Sequence, residues 1–373
     1  MSRSPADFVS RRSLAVDASG IRKVFDLAAK MKDPINLSIG LPDFDVPDIA
    51  KDAAIEAIKS GQNRYTQTQG IAPLRERLRA DLSTEFGRDV GDVLITSGVS
   101  GALLLAMLAI VDPGDEVIFL DPYFVMYKHL VTMAGGKSVP VNSYPDFSFP
   151  ASEVEAAITS KTKLLMLNSP SNPTGAVMSE ADVRAAVDIA KRHDLLLLSD
   201  EIYEPFLYDM PRGLPSAAKT YENTLVLRGF SKSHAMTGWR LGYAAGPEAI
   251  ISQMTKLQQY TFVCPPSPLQ WAALKAMDVD MRPQVEAYRR KRDIVVAGLS
   301  GKFNIVKPEG AFYIFPQSPN GVTASEFVTK AIDNNVLVIP GNVFSDRDTH
   351  FRISYATTDE KLKQGCEILS SLV

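Results

Sequence analysis

Through the middle of the chain, short unbroken apolar runs alternate with stretches in which apolar residues recur at helical spacing. The runs Glu116 to Leu120, Leu164 to Asn168, Leu195 to Ser199 and Thr224 to Leu227 are rich in Val, Ile and Leu and too short for helices. Strands that are apolar on both faces belong to a parallel sheet covered on both sides, so these runs predict an α/β core. Between two of them, Ser179 to His193 predicts a helix. Ser179 caps it, Asp182 stands at the third helical position, and Val183, Val187 and Ala190 share one face. The longest apolar run, Ala102 to Val111, is stopped by Asp112-Pro113-Gly114 and is too short to cross a bilayer, which predicts a buried helix.

From about Met281 the pattern changes to a basic amphipathic helix, with Arg289-Arg290-Lys291-Arg292 as its solvated face. The runs Gly310 to Pro316, Val336 to Pro340 and Phe351 to Tyr355 follow, at the spacing of a smaller α/β unit. A chain of 373 residues that is 45% apolar has the material for one large and one smaller domain. Its formal net charge of −3 exerts no general attraction on nucleic acid or an anionic membrane, which leaves small molecules as partners. Cys264 and Cys366 lack CxxC spacing and read as reduced thiols. Met1 to Asp7 holds no apolar leader, so a cytoplasmic location is expected. His129, His193, His234 and His350 lack metal-ligand spacing, so no metal is expected; His234 lies close enough to Lys232 to influence it. Gly136-Lys137-Ser138 imitates the end of a phosphate-binding loop, but Val131 stands where the first glycine belongs. No GxGxxG follows a strand.

Chemistry enters at Gly229-Phe230-Ser231-Lys232-Ser233-His234-Ala235-Met236-Thr237-Gly238-Trp239-Arg240. A lysine amine forms a Schiff base with an aldehyde, and the arginine fork of Arg240 matches a phosphate. Pyridoxal 5'-phosphate carries both groups. Its phosphate needs backbone donors as well, and Ser97-Gly98-Val99-Ser100 supplies a glycine turn opening a helix, with Val99 and Ser100 as the candidate contacts. Its ring draws electrons only while the ring nitrogen stays protonated beside a carboxylate, for which Asp200 is the candidate. Ligands of open α/β sheets bind beyond the carboxyl ends of the strands, where Asn168, Asp200 and Lys232 all fall. Taken singly, each has a plain alternative: Lys232 a surface lysine, Asp200 a helix cap, Arg240 a structural ion pair.

The Lys232 segment resembles the lysine motif of class I/II aminotransferases, the pyridoxal-phosphate enzymes of fold type I, and the resemblance extends over nearly the whole chain. It implies a large domain with a mainly parallel sheet between helices and a smaller α/β domain. Residues 1–45 would form an arm and part of the small domain, 46–280 the large cofactor-binding domain, and 281–373 the small C-terminal domain. It implies that Tyr203 and Asn172, in Asn168-Ser169-Pro170-Ser171-Asn172-Pro173, reach the cofactor's phenolate oxygen and that Phe124 stacks on its ring. Arg352, in Phe351-Arg352-Ile353-Ser354-Tyr355, would bind the substrate α-carboxylate with Asn172 and the Gly40 backbone N–H. Tyr65 matches a tyrosine that reaches the neighbouring subunit's phosphate, which implies a homodimer with shared sites. Lys232 would be tether and general base.

Within the family the chain is most similar to the bacterial and archaeal aspartate and aromatic aminotransferases, through residues 21–28 and Val306-Lys307-Pro308-Glu309-Gly310-Ala311-Phe312-Tyr313. Some aspartate-using members carry a lysine where this chain has Ser100, which shifts the expectation toward aromatic or apolar donors. Gly229 replaces a serine that many relatives place on the phosphate. The expected activity is ping-pong transfer of an amino group from an aromatic, apolar or aspartate-like L-amino acid to a 2-oxo acid, with 2-oxoglutarate as acceptor. The alternatives are a C–S β-lyase of the same fold and a cofactor-sensing regulator, for whose DNA-binding segment the amino terminus leaves no room.

Overall fold

In the computed structural model, residues 3–18, 20, 24, 29, 31–210 and 213–373 are described; the similarity over residues 21–28 lies, Val24 excepted, outside them. After a short β1 (Ile35–Asn36), the chain lays down seven strands in one sheet. These are β2 (Asp92–Ser97), β3 (Glu116–Asp121), β4 (Lys137–Asn142), β5 (Thr162–Asn168), β6 (Leu196–Asp200), β7 (Thr224–Gly229) and β8 (Leu241–Gly246). Their order is β2-β8-β7-β6-β5-β3-β4, and β8 is antiparallel to both its neighbours while the other pairs run parallel.

The unbroken apolar runs follow from this placement. Successive residues point to opposite faces of a strand, and both faces are covered. Leu164 and Met166 pack with the helix Gly98–Ile110 on one face. Leu165 and Leu167 pack with the helix Glu180–Arg192 on the other. That second helix starts as its sequence predicts: Ser179 Oγ accepts from the Asp182 N–H at 3.1 Å, and the Asp182 carboxylate accepts from the Ser179 N–H at 3.0 Å.

The remaining strands are short: β9 (Tyr313–Ile314), β10 (Val336–Leu337), β11 (Ile339–Pro340) and β12 (Phe351–Ser354). β1 pairs in parallel with β10, and β11-β12-β9 form an antiparallel sheet. Ile35 and Leu37 are thereby buried with Val295, Phe312, Phe351 and Leu362, so the amino-terminal segment shares a core with the carboxyl-terminal one.

One expectation is overturned on the helix Arg282–Leu299. Arg289 and Arg290 have exposed side chains, but Lys291 and Arg292 have side chains only 9% and 2% exposed. The run is therefore not a solvated face. Lys291 pairs with Asp43, and Arg292 pairs with Asp209 at 2.9 Å beneath the ring of Tyr208. Carboxylates brought in from distant segments supply what a buried cation requires.

Candidate active site

The carboxyl ends of β5 and β6, the turn after β7 and the β2–helix junction converge on a cavity of about 870 Å³. Its walls hold Val99, Ser100, Phe124, Asn172, Asp200, Tyr203, Lys232, Arg240, Arg352 and Gly40, ten of the eleven residues singled out in the sequence. The eleventh, Tyr65, is 84% exposed and lines a separate hollow with Arg64 and Trp271. Its own chain does not bring it to this cavity.

Asp200 ends β6 at 2% exposure. No helix follows it, so it is not a cap. Burial raises its carboxyl from 3.8 to about 6, opposed by the hydroxyl of Tyr127, which donates to Oδ2 at 2.7 Å, and by the Ile202 N–H. The neighbouring strand end is tied to it, since Asn168 Nδ2 donates to the Asp200 carbonyl at 3.0 Å and Asn168 Oδ1 accepts from the Asn172 N–H at 3.0 Å.

Lys232 sits in the single turn Phe230–Ser233, and its Nζ donates to the Gly40 carbonyl at 2.6 Å. Burial and the charges of Arg352 and Arg240 pull its amine from 10.5 to about 8. An amine so lowered is neutral for an appreciable fraction of the time near neutral pH, which suits a nucleophile or a base.

Arg240 has no carboxylate partner among the described residues; it donates to the carbonyls of Thr237 at 3.0 Å and Ser97 at 3.4 Å. Gly98 adopts φ +65° beside it, and a Cβ there would lie 2.6 Å from Arg240 Nη2. A Cβ on Gly242 would meet the Val99 nitrogen at 2.7 Å. Glycines thus let a helix start, with its free N–H groups, come up against an arginine, a combination that fits a phosphate.

Arg352 is 1% exposed, the reverse of a strand arginine facing solvent. Its Nη1 donates to Asn172 Oδ1 at 2.9 Å and its Nη2 to the Ser38 carbonyl at 2.7 Å, with Tyr313 and Phe344 rings against the guanidinium. Its Nε is buried with no hydrogen-bond partner among the described residues. A buried donor left unmet and a cation with no anion fit a site for a carboxylate.

Three contributors escaped the sequence. Tyr127 stands in the first turn of the helix Met126–Ala134, three residues past Phe124, and its ring meets Phe124 edge-on at 5.7 Å; that short spacing was the available signal. Tyr313 Oη shares a hydrogen bond of 2.8 Å with Tyr203 Oη across 110 residues, and nothing local marks it. Ser38 acts through its carbonyl, which any residue supplies. His234 does not line the cavity; its Nδ1 meets Ser233 Oγ at 2.7 Å, and burial lowers it to about 4. Among the described residues no cluster is suited to a metal ion and no helix is long and apolar enough to cross a membrane.

Residues 32–369 match the family model for aminotransferase class I and II. The chain is 38% identical to an aspartate aminotransferase of Pyrococcus abyssi and 38% identical to an aromatic-amino-acid aminotransferase of Thermococcus litoralis, each over 98% of both chains. Among solved structures, the Thermus thermophilus aspartate aminotransferase with maleate is similar at a TM-score of 0.92 and 37% identity, covering 98% of this chain and 99% of that one.

Proposed function

The chain belongs to the class I and II aminotransferase family, and from that premise we propose that it moves the amino group of an aromatic or apolar L-amino acid to a 2-oxo acid, 2-oxoglutarate foremost, by ping-pong exchange. The observation that carries the reading is the presence, in one cavity, of a lowered lysine, a buried carboxylate and two arginines without carboxylate partners. The enzymes of this family depend on pyridoxal 5'-phosphate, and the residues present fit it. Once bound, the cofactor supplies an aldehyde that captures amines and a ring that withdraws electrons from the substrate α-carbon.

The roles follow from position. Asp200, kept ionised by Tyr127, holds the ring-nitrogen proton. Arg240 with the backbone N–H groups of Val99 and Ser100 would hold the phosphate, Phe124 would lie against the ring, and Tyr203 with Asn172 would hold the phenolate oxygen; all line the cavity. Arg352, Asn172 and the Gly40 N–H take the α-carboxylate, and Lys232 Nζ removes the α-carbon proton. Leu103, Met126, Leu130 and Met133 line the same cavity with His129, and among the described residues no further lysine or arginine does, which supports an apolar or aromatic side chain.

The reading includes a homodimer in which Tyr65 serves the partner's phosphate; its exposure, with that of Tyr260 at 85%, supports a contact there. It also takes 46–280 as the cofactor-binding domain and joins 1–45 to 281–373, supported by the β1–β10 pairing, in a protein of the cytoplasm. The test is the absorbance of the cofactor-loaded protein with a panel of amino acids and no acceptor. Loss of the aldehyde-form band with phenylalanine, tyrosine or leucine, and its return with 2-oxoglutarate, is the expected result. Ammonia and pyruvate released from a cysteine conjugate without acceptor, and no such exchange, would overturn it.

A further inference from the structure

Residues 37–43 run as a strap along the cavity, from the small sheet to the helix Arg282–Leu299. One end is fixed by strand-like bonds: the Leu37 N–H donates to the Leu337 carbonyl at 2.9 Å, and the Leu37 carbonyl accepts from the Ser354 N–H at 2.7 Å. Between Ser38 and Leu41 the strap forms part of the cavity wall. Its carbonyls there are taken by functional side chains, Ser38 by Arg352 and Gly40 by Lys232. Among the described residues the backbone of Ile39 to Pro42 has no other hydrogen-bond partner.

The far end is held at Asp43 by three contacts. The Tyr288 hydroxyl donates to Asp43 Oδ1 at 2.7 Å and accepts from the Asp43 N–H at 3.0 Å, while Lys291 Nζ pairs with Oδ2. Tyr288 is 1% exposed and stacks on Phe312 at 5.3 Å, and Phe312 meets Tyr203 edge-on at 5.3 Å. The Lys291 side chain is nearly buried, whereas Asp43 keeps a side chain 23% exposed. The anchor is therefore rigid on the helix side and continuous, through aromatic rings, with the cavity wall.

We propose that Asp43, Tyr288 and Lys291 are positioning residues for the carboxylate end of the substrate. They act through the strap and not by touching the ligand. The inference rests on the reading of Arg352 as the carboxylate site. When Arg352 and Lys232 turn from the strap to their ligands, Ser38 and Gly40 lose the side chains that hold them. Ser38 stays tied to Asn36 Oδ1, which accepts from its N–H at 3.0 Å, and on the far side of Gly40 only Asp43, among the described residues, then fixes the strap over the arginine.

The experiment uses Lys291→Met, with Tyr288→Phe as a second variant that keeps the ring on Phe312. Hydrogen exchange of the apoprotein and titration of the cofactor-loaded protein with two unreactive carboxylates, maleate and 3-phenylpropionate, give the readouts. In both variants the amides of residues 38–41 and 43 are expected to exchange about ten-fold faster. The carboxylate dissociation constant should rise roughly five- to twenty-fold, with KM moving more than kcat and the cofactor dissociation constant within about two-fold of the parent. Unchanged carboxylate affinity in the variants, where the parent binds, overturns the inference and leaves the function intact. Equal loss of cofactor and carboxylate affinity overturns it too, by showing a fold-wide effect. A parent that binds neither carboxylate overturns the Arg352 reading and this inference with it.

Discussion

Asp200 carries a cost of burial that its chemistry requires and its fold does not. Its carboxyl stands at about 6 in the folded protein against the ordinary 3.8 of a solvated carboxyl in the unfolded chain, so the native state binds more protons between those values and stability falls as pH rises through them. About two units at 1.36 kcal/mol each amount to about 3 kcal/mol, fully present above the folded value and absent below the unfolded one. Asp200→Asn keeps an acceptor for the Tyr127 hydroxyl and removes the charge. The apoprotein variant should therefore be more stable than the parent by about 3 kcal/mol near pH ~7.5 and by about 1 kcal/mol near pH ~4.5. Urea unfolding of the two apoproteins, followed by circular dichroism at both pH values, measures the gap. Added cofactor should reverse the order, because only the parent holds the ring-nitrogen proton with a carboxylate. A variant no more stable than the parent near neutrality, or a gap that does not narrow in acid, would refute the reasoning.

The other expectations concern neighbours and partners. Tyr127→Phe removes a hydrogen bond to a charged group, about 1.5–3 kcal/mol, and should raise the Asp200 carboxyl by roughly one to two units. The pH below which cofactor affinity is lost then moves up by that amount; the ratio of the parent and variant binding profiles shows it free of the phosphate's own titration. Tyr65→Ala and Lys232→Ala subunits, each inactive alone, should recover roughly a quarter of the parent activity after subunit exchange, since half the dimers are hybrids with one intact site. No recovery would exclude a site shared in this way. Arg292→Ala should cost about 2–4 kcal/mol in urea unfolding, because it empties a buried side chain packed on Tyr208 and paired with Asp209 and Asp293, whereas Arg290→Ala should stay within about 0.5 kcal/mol.

How much was legible follows from the range of the physics involved. The runs Glu116 to Leu120 and Leu164 to Asn168 declared strands because burial on both faces leaves no polar alternation, and Ser179 with Asp182 declared a helix start through contacts three residues apart. Lys232, Arg240 and Asp200 were legible as chemistry, each at or just past a strand end, where open sheets present residues to a cleft. The run Arg289 to Arg292 misled, since a cation's environment depends on which distant carboxylate arrives. Asp43 and Asp209 lie 248 and 83 residues from the cations they hold.

Local pattern was thus enough for the α/β core, and the resemblance carried by the Lys232 segment was enough for the family, with Lys232 as its expected cofactor lysine. Only the tertiary structure decided that Tyr127 reaches Asp200 across 73 residues, that Arg352 rests on Asn172 across 180, and that the strap is anchored to Tyr288 across 245. Periodicity and caps act within a few residues and are written in order along the chain. A hydrogen bond between distant residues exists only once the sheet has set their separation.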